Sequence, residues 1–233
     1  MVAEAYAVIV AAGRSTRMQG ADKQFLELAG TPVLQHTLAA FEKAGRIAGI
    51  VLVIAPEKYR DSGPGAFRSW GLNKLIAVVP GGNTRQQSVL NGLLAIPFNC
   101  RTVLIHDGAR PLVTVGEIET VVAAAGEYGA ATLAVPVKDT VKESDGQGFV
   151  ASTPNRELLW LTQTPQGFSY QLLLEAHRLA GPSAAATDDA SLVEAAGHRV
   201  KLVPGSYRNI KITTPEDIYI AEALLSRASG DGS

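Results

Sequence analysis

Cysteine is almost absent: the one thiol in 233 residues, Cys100, can form no disulfide within the chain. That usage suits a reducing compartment, so we expect a cytoplasmic protein in which Cys100 is a half-buried thiol before a strand. Four histidines, His36, His106, His177 and His198, are scattered without a ligand spacing such as H-x-x-x-H, which argues against a histidine-based metal centre. Charge of one sign is lacking too. The 21 basic and 22 acidic residues leave a formal net charge of −1, too little basic field to hold nucleic acid or a membrane surface. No apolar run approaches the ~18 residues needed to span a bilayer. The opening Met1-Val2-Ala3-Glu4-Ala5-Tyr6 has no basic stretch of the kind that begins a secretory signal.

Two common nucleotide loops are missing as well. Neither G-x-x-x-x-G-K-[ST] nor G-x-G-x-x-G occurs, since Gly13 is followed by Arg14-Ser15 and the next glycine is Gly20. What stands there is an apolar, β-branched run at 6–10 that reads as a buried strand, followed by Ala11-Ala12-Gly13 and a turn carrying Arg14, Ser15, Thr16, Arg17 and Lys23. Small residues let a ligand touch backbone, and cations at a strand's carboxyl end suit a polyphosphate. The same spacing alone also fits a βα turn with solvated basic side chains.

The chain is long for one domain and short for two, and 46% hydrophobic with 18% charged residues is ordinary for a globular protein. We expect one domain over 1–225 with an excursion at 138–158, and a disordered tail at 226–233. Strand-like runs at 47–55, 76–79, 102–106 and 131–137 alternate with helical spacing, first in Val33, Leu34, Thr37, Leu38 and Phe41, where Thr31-Pro32 reads as a helix cap. The alternation predicts an α/β fold, a doubly wound, mostly parallel sheet covered on both faces.

Ligands of such sheets bind beyond the carboxyl ends of the strands. The sequence delivers two more turns there. Gly81-Gly82-Asn83-Thr84-Arg85-Gln86-Gln87-Ser88 can meet a flat base through backbone groups, and Asp107-Gly108-Ala109-Arg110-Pro111 offers an acid and a base suited to Mg²⁺ and phosphate. Each has a plainer reading, as a capped turn and as a local ion pair. Farther on, 139–142 and 149–153 flank Asp145-Gly146 and spell a β-hairpin, marginal alone in water, so it should project and be held by a second subunit. Segment 160–168 leads into an amphipathic helix at 170–179. Thr187 or Asp188 caps another helix, 200–203 and 209–213 read as short strands, and Thr214-Pro215-Glu216-Asp217 opens the last helix.

In order, A-A-G-x-x-x-R-M with K-Q-F, G-G-x-x-R-x-x-S-V, H-D-G-A-R-P, T-Q-T-P-Q-x-F, T-D-D-A-S and N-I-K-I-T-T-P-E-D cover roughly residues 6 to 225. The set resembles the 2-C-methyl-D-erythritol 4-phosphate cytidylyltransferases, the cytidylyl-transfer step of the non-mevalonate isoprenoid pathway. The resemblance implies a Rossmann-like nucleotidyltransferase fold with a projecting β-hairpin arm. It implies Ala11, Ala12 and Gly13 against the nucleotide, Gly81, Gly82, Asn83 and Ser88 around the cytosine, and Arg17, Lys23 and Lys211 as catalytic cations. Asp107, Arg110, Thr187 and Lys211 would meet methylerythritol phosphate or the reacting phosphates. Thr140 and Arg156 would reach from the arm into the other subunit's site of a homodimer. Mg²⁺ is the implied cofactor, held mainly by the CTP phosphates with Asp107 as a candidate ligand. Two positions depart from the pattern: Val10 stands where proline is usual, and Asn83 where an acid is frequent, which leaves one acceptor oxygen for a base amino group instead of two.

Two rivals remain. Ribitol-5-phosphate cytidylyltransferases share the N-I-K-I-T-T-P segment but tend to carry H-D-S-V-R at positions 106–110 and to lack T-D-D-A-S, found here at 187–191. A catalytically silent CTP-binding module is the other, and Arg17, Lys23, Asp107 and Lys211 count against it.

Overall fold

Side chains of the first strand, β1 (Ala5–Ala11), alternate between two cores: Ala7 and Ile9 enter one, Val8 and Val10 the other. A strand buried on both faces has no place for charge, which is why the run is continuously apolar. The computed structural model describes residues 5–13, 24–61, 64–97, 99–181 and 186–230. After β1 come a small pair, β2 (Glu27–Leu28) and β3 (Thr31–Pro32), then α1 (Val33–Lys43), β4 (Ile47–Ile54), α2 (Pro56–Asp61), β5 (Leu75–Pro80), α3 (Arg85–Leu94), β6 (Thr102–Asp107), α4 (Val115–Tyr128) and β7 (Ala130–Pro136). The rest comprises the arm strands β8 (Glu143–Ser144) and β9 (Val150–Ser152), then β10 (Trp160–Ser169), α5 (Tyr170–Ala180), α6 (Asp189–Ala195), β11 (Lys201–Pro204) and α7 (Glu216–Gly230).

Seven strands form one sheet in the order β11-β7-β10-β6-β1-β4-β5, with β10 antiparallel to both neighbours and all other pairs parallel. Leu34, Leu38 and Phe41 of α1 and Ile118, Val121 and Val122 of α4 cover one face. Val89 and Leu93 of α3, Leu173 and Leu174 of α5, and Leu192 and Val193 of α6 cover the other. The α/β architecture, mostly parallel and wound on both faces, is the one expected. Because β1, β4, β5 and β6 are parallel, their carboxyl ends and the loops that follow gather at one edge.

Some local expectations change, and one segment that carried none is a strand. Segment 160–168 is itself a strand, β10, set in the middle of the sheet; its Gln163, Thr164 and Gln166 are buried but each is hydrogen-bonded, so polarity there does not mark a loop. Residues 209–213 join no sheet: Asn209 Nδ2 donates to the Thr164 carbonyl at 2.9 Å and Ile212 N–H donates to the Ala109 carbonyl at 2.8 Å. Pro32 stands at the N-cap of α1, which has no side-chain cap and starts at Val33. The last helix runs on through Ser226 to Gly230, past the point where a disordered tail was expected. The hairpin forms, but its first strand, β8 (Glu143–Ser144), lies beyond the 139–142 run expected to supply it; β8 and β9 pair only with each other.

Candidate active site

Two glycines let the three loops at the sheet edge pack together. A Cβ on Gly81 would lie 2.3 Å from Ala12 Cβ, and one on Gly108 would lie 3.1 Å from Ala11 Cβ and 2.9 Å from Gln24 Oε1. Close approach is therefore required of Gly81, whereas a base-binding role was expected of it. The loops enclose a cavity of about 630 Å³ lined by Ala12, Gly13, Gly82, Asn83, Ser88, Asp107 and Lys211 among the predicted residues, and also by Glu57, Thr84 and Arg85. Ala11 and Gly81 are buried just behind this wall.

The second loop holds itself rigid. Ser88 Oγ accepts from Gly82 N–H at 3.0 Å and donates to the Thr84 carbonyl at 2.9 Å, while Thr84 Oγ1 caps α3 by accepting from Gln87 N–H. Asn83 N–H donates to Gln87 Oε1 at 2.9 Å, and the Asn83 side chain stays exposed at the mouth of the cavity.

Asp107 is the electrostatic centre. Lys211 Nζ lies 2.8 Å from its Oδ2, Arg110 Nε 3.7 Å from the same oxygen, and Arg85 Nε 3.6 Å from Oδ1. Burial alone would raise this carboxyl, but Lys211, then Arg85 and Arg110, outweigh it and hold the group well below the usual carboxylate range. Arg110 is mostly buried and donates to the Asn209 carbonyl at 2.7 Å, so its guanidinium ties the third loop to the segment that carries Lys211. Behind Asp107, its N–H donates to Thr164 Oγ1 at 3.0 Å, Thr164 Oγ1 stands 3.0 Å from His106 Nδ1, and His106 Nε2 faces the Arg110 carbonyl at 3.3 Å. A neutral ring protonated on Nε2 satisfies all three contacts, and burial pushes the His106 pKa down to about 3.

Arg85 belongs to the G-G-x-x-R-x-x-S-V motif, whose spelling alone assigns it no role. Its Nη1 donates to Asp189 Oδ2 at 2.7 Å, and Asp189, fully buried, lies 3.3 Å from His177 Nε2. Burial would raise Asp189, but Arg85 and His177 hold it below the usual range. Asp188, not Thr187, caps α6, accepting from Ser191 N–H at 2.9 Å, and Thr187 is exposed just ahead of it. Thr140 and Arg156 lie exposed on the arm and do not line the cavity; Arg156 Nη1 donates to the Lys138 carbonyl at 3.1 Å. Arg14, Ser15, Thr16, Arg17 and Lys23 lie outside the described residues.

The family model for 2-C-methyl-D-erythritol 4-phosphate cytidylyltransferase (IspD) matches residues 5–227. The chain belongs to that family. The cytidylyltransferase of Pelotomaculum thermopropionicum is 52% identical over 227 residues, 96% of this chain and 95% of that one. A bifunctional enzyme IspD/IspF of Desulforudis audaxviator is 54% identical over 226 residues, 96% of this chain but 57% of its own length. Among solved structures, 4-diphosphocytidyl-2C-methyl-D-erythritol synthase of Anaerococcus prevotii superposes with a TM-score of 0.84 at 34% identity, covering 96% of both chains. The cytidylyltransferase of Thermus thermophilus gives 0.76 at 37% identity, covering 94% of this chain and 98% of that one.

A metal has few ligands to choose from here. Among the described residues no group of three His, Cys, Asp or Glu side chains converges. Among the described residues the carboxylates lining the cavity are Glu57 and Asp107, and Asp107 already faces three cations. This donor set fits an ion carried by a ligand's phosphates and touched by Asp107, and does not fit a protein-made cage. No helix of the described residues is long and apolar enough to cross a membrane.

Proposed function

We propose that the chain transfers a cytidylyl group from CTP to 2-C-methyl-D-erythritol 4-phosphate, giving 4-diphosphocytidyl-2-C-methyl-D-erythritol and pyrophosphate. The carrying observation is the Lys211–Asp107 pair in the wall of the cavity, beside the Gly82, Asn83 and Ser88 loop, in a member of this family. The acceptor's phosphate is anionic at neutral pH, so its oxygen attacks the α-phosphorus in line, the bond to the pyrophosphate oxygen breaks, and pyrophosphate leaves with the electron pair. No general base is needed, and no histidine is among the described residues that line the cavity. Lys211 neutralises charge on the transferring phosphoryl oxygens, and Asp107 sets where that ammonium sits. Mg²⁺ bound to the triphosphate supplies further neutralisation of the phosphate oxygens.

Following the family pattern, Arg17 and Lys23 hold the triphosphate, Ala12 and Gly13 contact the nucleotide, and Thr187 and Arg110 serve the acceptor side. Residues 1–225 act as one domain. The arm over 138–158 joins two copies, so that Thr140 and Arg156 complete the site of the other copy. The one cysteine, Cys100, buried and in no disulfide, supports a place in the cytoplasm.

The test follows pyrophosphate release with Mg²⁺, each of the four nucleoside triphosphates, and either methylerythritol phosphate or ribitol 5-phosphate. Turnover is expected with CTP and methylerythritol phosphate. CTP should exceed UTP about tenfold or more, since a loop set to pair with the 4-amino group leaves a buried polar group unpaired against a carbonyl, at roughly 1–3 kcal/mol. Preference for ribitol 5-phosphate, or nucleotide binding without turnover, would replace the reading.

A further inference from the structure

Asp107 presents its two oxygens to different cations: Oδ2 to Lys211 at 2.8 Å and Arg110 at 3.7 Å, Oδ1 to Arg85 at 3.6 Å. Arg85 is the first residue of α3, and its other end is pinned, since Nη1 bonds Asp189 Oδ2 at 2.7 Å. Asp189 cannot yield. It is fully buried, its N–H donates to Gln166 Oε1 at 3.1 Å, and its second carboxylate oxygen lies 3.3 Å from His177 Nε2. The path from core to cavity is thus Asp189, Arg85, Asp107, Lys211. Without the guanidinium on Oδ1, the carboxylate is held from the Oδ2 side alone, by Lys211 and Arg110, and gains freedom to turn about its Cβ–Cγ bond, carrying with it the oxygen that Lys211 follows.

We propose that Arg85 is a positioning residue that fixes the Lys211 ammonium through Asp107, taking its own position from the buried Asp189. The proposal rests on the cytidylyl-transfer reading for the meaning of that position, but the geometry stands without it. Arg85 need not touch a substrate; it removes freedom from the group that does. Reacting groups misplaced by about 1 Å lose on the order of 10²-fold in rate, and a partial release of Lys211 should lose about tenfold.

Removing Arg85 alone would strand a buried carboxylate, so the informative protein is Arg85→Gln with Asp189→Asn, which leaves no lone charge in the core. We expect its kcat to fall about tenfold, its KM for CTP to stay within about threefold, and its melting temperature to remain near that of the wild type. Combined with Lys211→Ala, it should add little to the loss from Lys211→Ala alone, because both changes remove the same positioned ammonium. Multiplying losses, or kcat within about twofold of wild type, would overturn the proposal. A crystal structure of the Arg85→Gln/Asp189→Asn protein gives a readout independent of turnover. Displacement of Lys211 Nζ from Asp107 Oδ2 supports the proposal even if the wild-type chain transfers no cytidylyl group, and retention of the pair within about 3.2 Å sinks it.

Discussion

Lys211 keeps 36% of its side chain exposed while its ammonium rests 2.8 Å from Asp107, so an arriving phosphate meets a cation that is both oriented and reachable. Lys211→Ala should therefore lower kcat by about 10²-fold, as removal of a preorganised charge does, and lower the melting temperature too, since the buried Asp107 then keeps only the more distant Arg85 and Arg110. Turnover within threefold of wild type would remove Lys211 from the chemistry. His106 makes the opposite prediction, on stability and not on rate. Its folded-state pKa of about 3 lies below the ordinary 6.5, so between these values the unfolded chain takes up a proton that the folded chain refuses. Stability from this group is complete above about pH 6.5 and is lost as pH falls toward 3. Between pH 6.5 and 5 the loss reaches about 2 kcal/mol at most. Urea midpoints measured at pH 7.5 and pH 5 should fall more steeply for wild type than for His106→Gln, which carries no titrating group; parallel slopes would mean that the ring is protonated in the fold.

At the scale of elements, α3 decides the geometry, since it carries Arg85 and Ser88 and packs on β1 and β4. Gly92 sets how closely it packs: a Cβ there would stand 2.4 Å from Val8 Cγ1 and 2.9 Å from Val53 Cγ2. Alanine in a helix is worth about 1 kcal/mol over glycine, but overpacking a rigid core costs about 1–3 kcal/mol. Gly92→Ala should lower the melting temperature and, by lifting α3 with its loop, kcat/KM together; a more stable, fully active variant would show that the core yields. The strands buried on both faces were legible from their β-branched runs, because hydrophobic burial leaves its mark on every residue of such a strand. Strand β10 was not, because Gln163, Thr164 and Gln166 satisfy their polar groups against partners 22 to 58 residues away. Residues 209–213 misled in the other direction. Ile210 and Ile212 alternate like a strand, yet they pack in a small cluster with Leu28, Val33 and Ala221 beside α7. The same distance in sequence hid Arg85, whose partner Asp189 lies 104 residues on, whereas Gly82, Ser88 and Asp107 stood out because short motifs carried them.

For the whole molecule the arm raises a different question, because its contacts within the described chain do not account for its surface. Phe149, Val150, Leu158 and Leu161 are 73%, 62%, 78% and 56% exposed, within thirteen residues of one another, and β8 and β9 pair only with each other. So much apolar surface on the hairpin (Phe149, Val150) and on the segment that leads from it into β10 (Leu158, Leu161) is unfavourable in water unless another surface covers it. The homodimer proposed above would cover both arms in one symmetric interface. Arg156 fits that arrangement: its single hydrogen bond to the Lys138 carbonyl leaves most of a guanidinium facing outward, where the other copy's acceptor phosphate would meet it. If each site combines Lys211 of one copy with Arg156 of the other, Arg156→Ala and Lys211→Ala proteins should each be nearly inactive, yet regain activity when mixed. A heterodimer then holds one site with both residues intact and one with neither. At full exchange about half the dimers are mixed, which predicts roughly a quarter of wild-type activity by counting sites. If Arg156 served the site of its own copy, both sites of the heterodimer would lack one residue. Mixtures that remain inactive after exchange has been demonstrated would therefore return Arg156 to its own subunit and leave the arm a purely structural clasp.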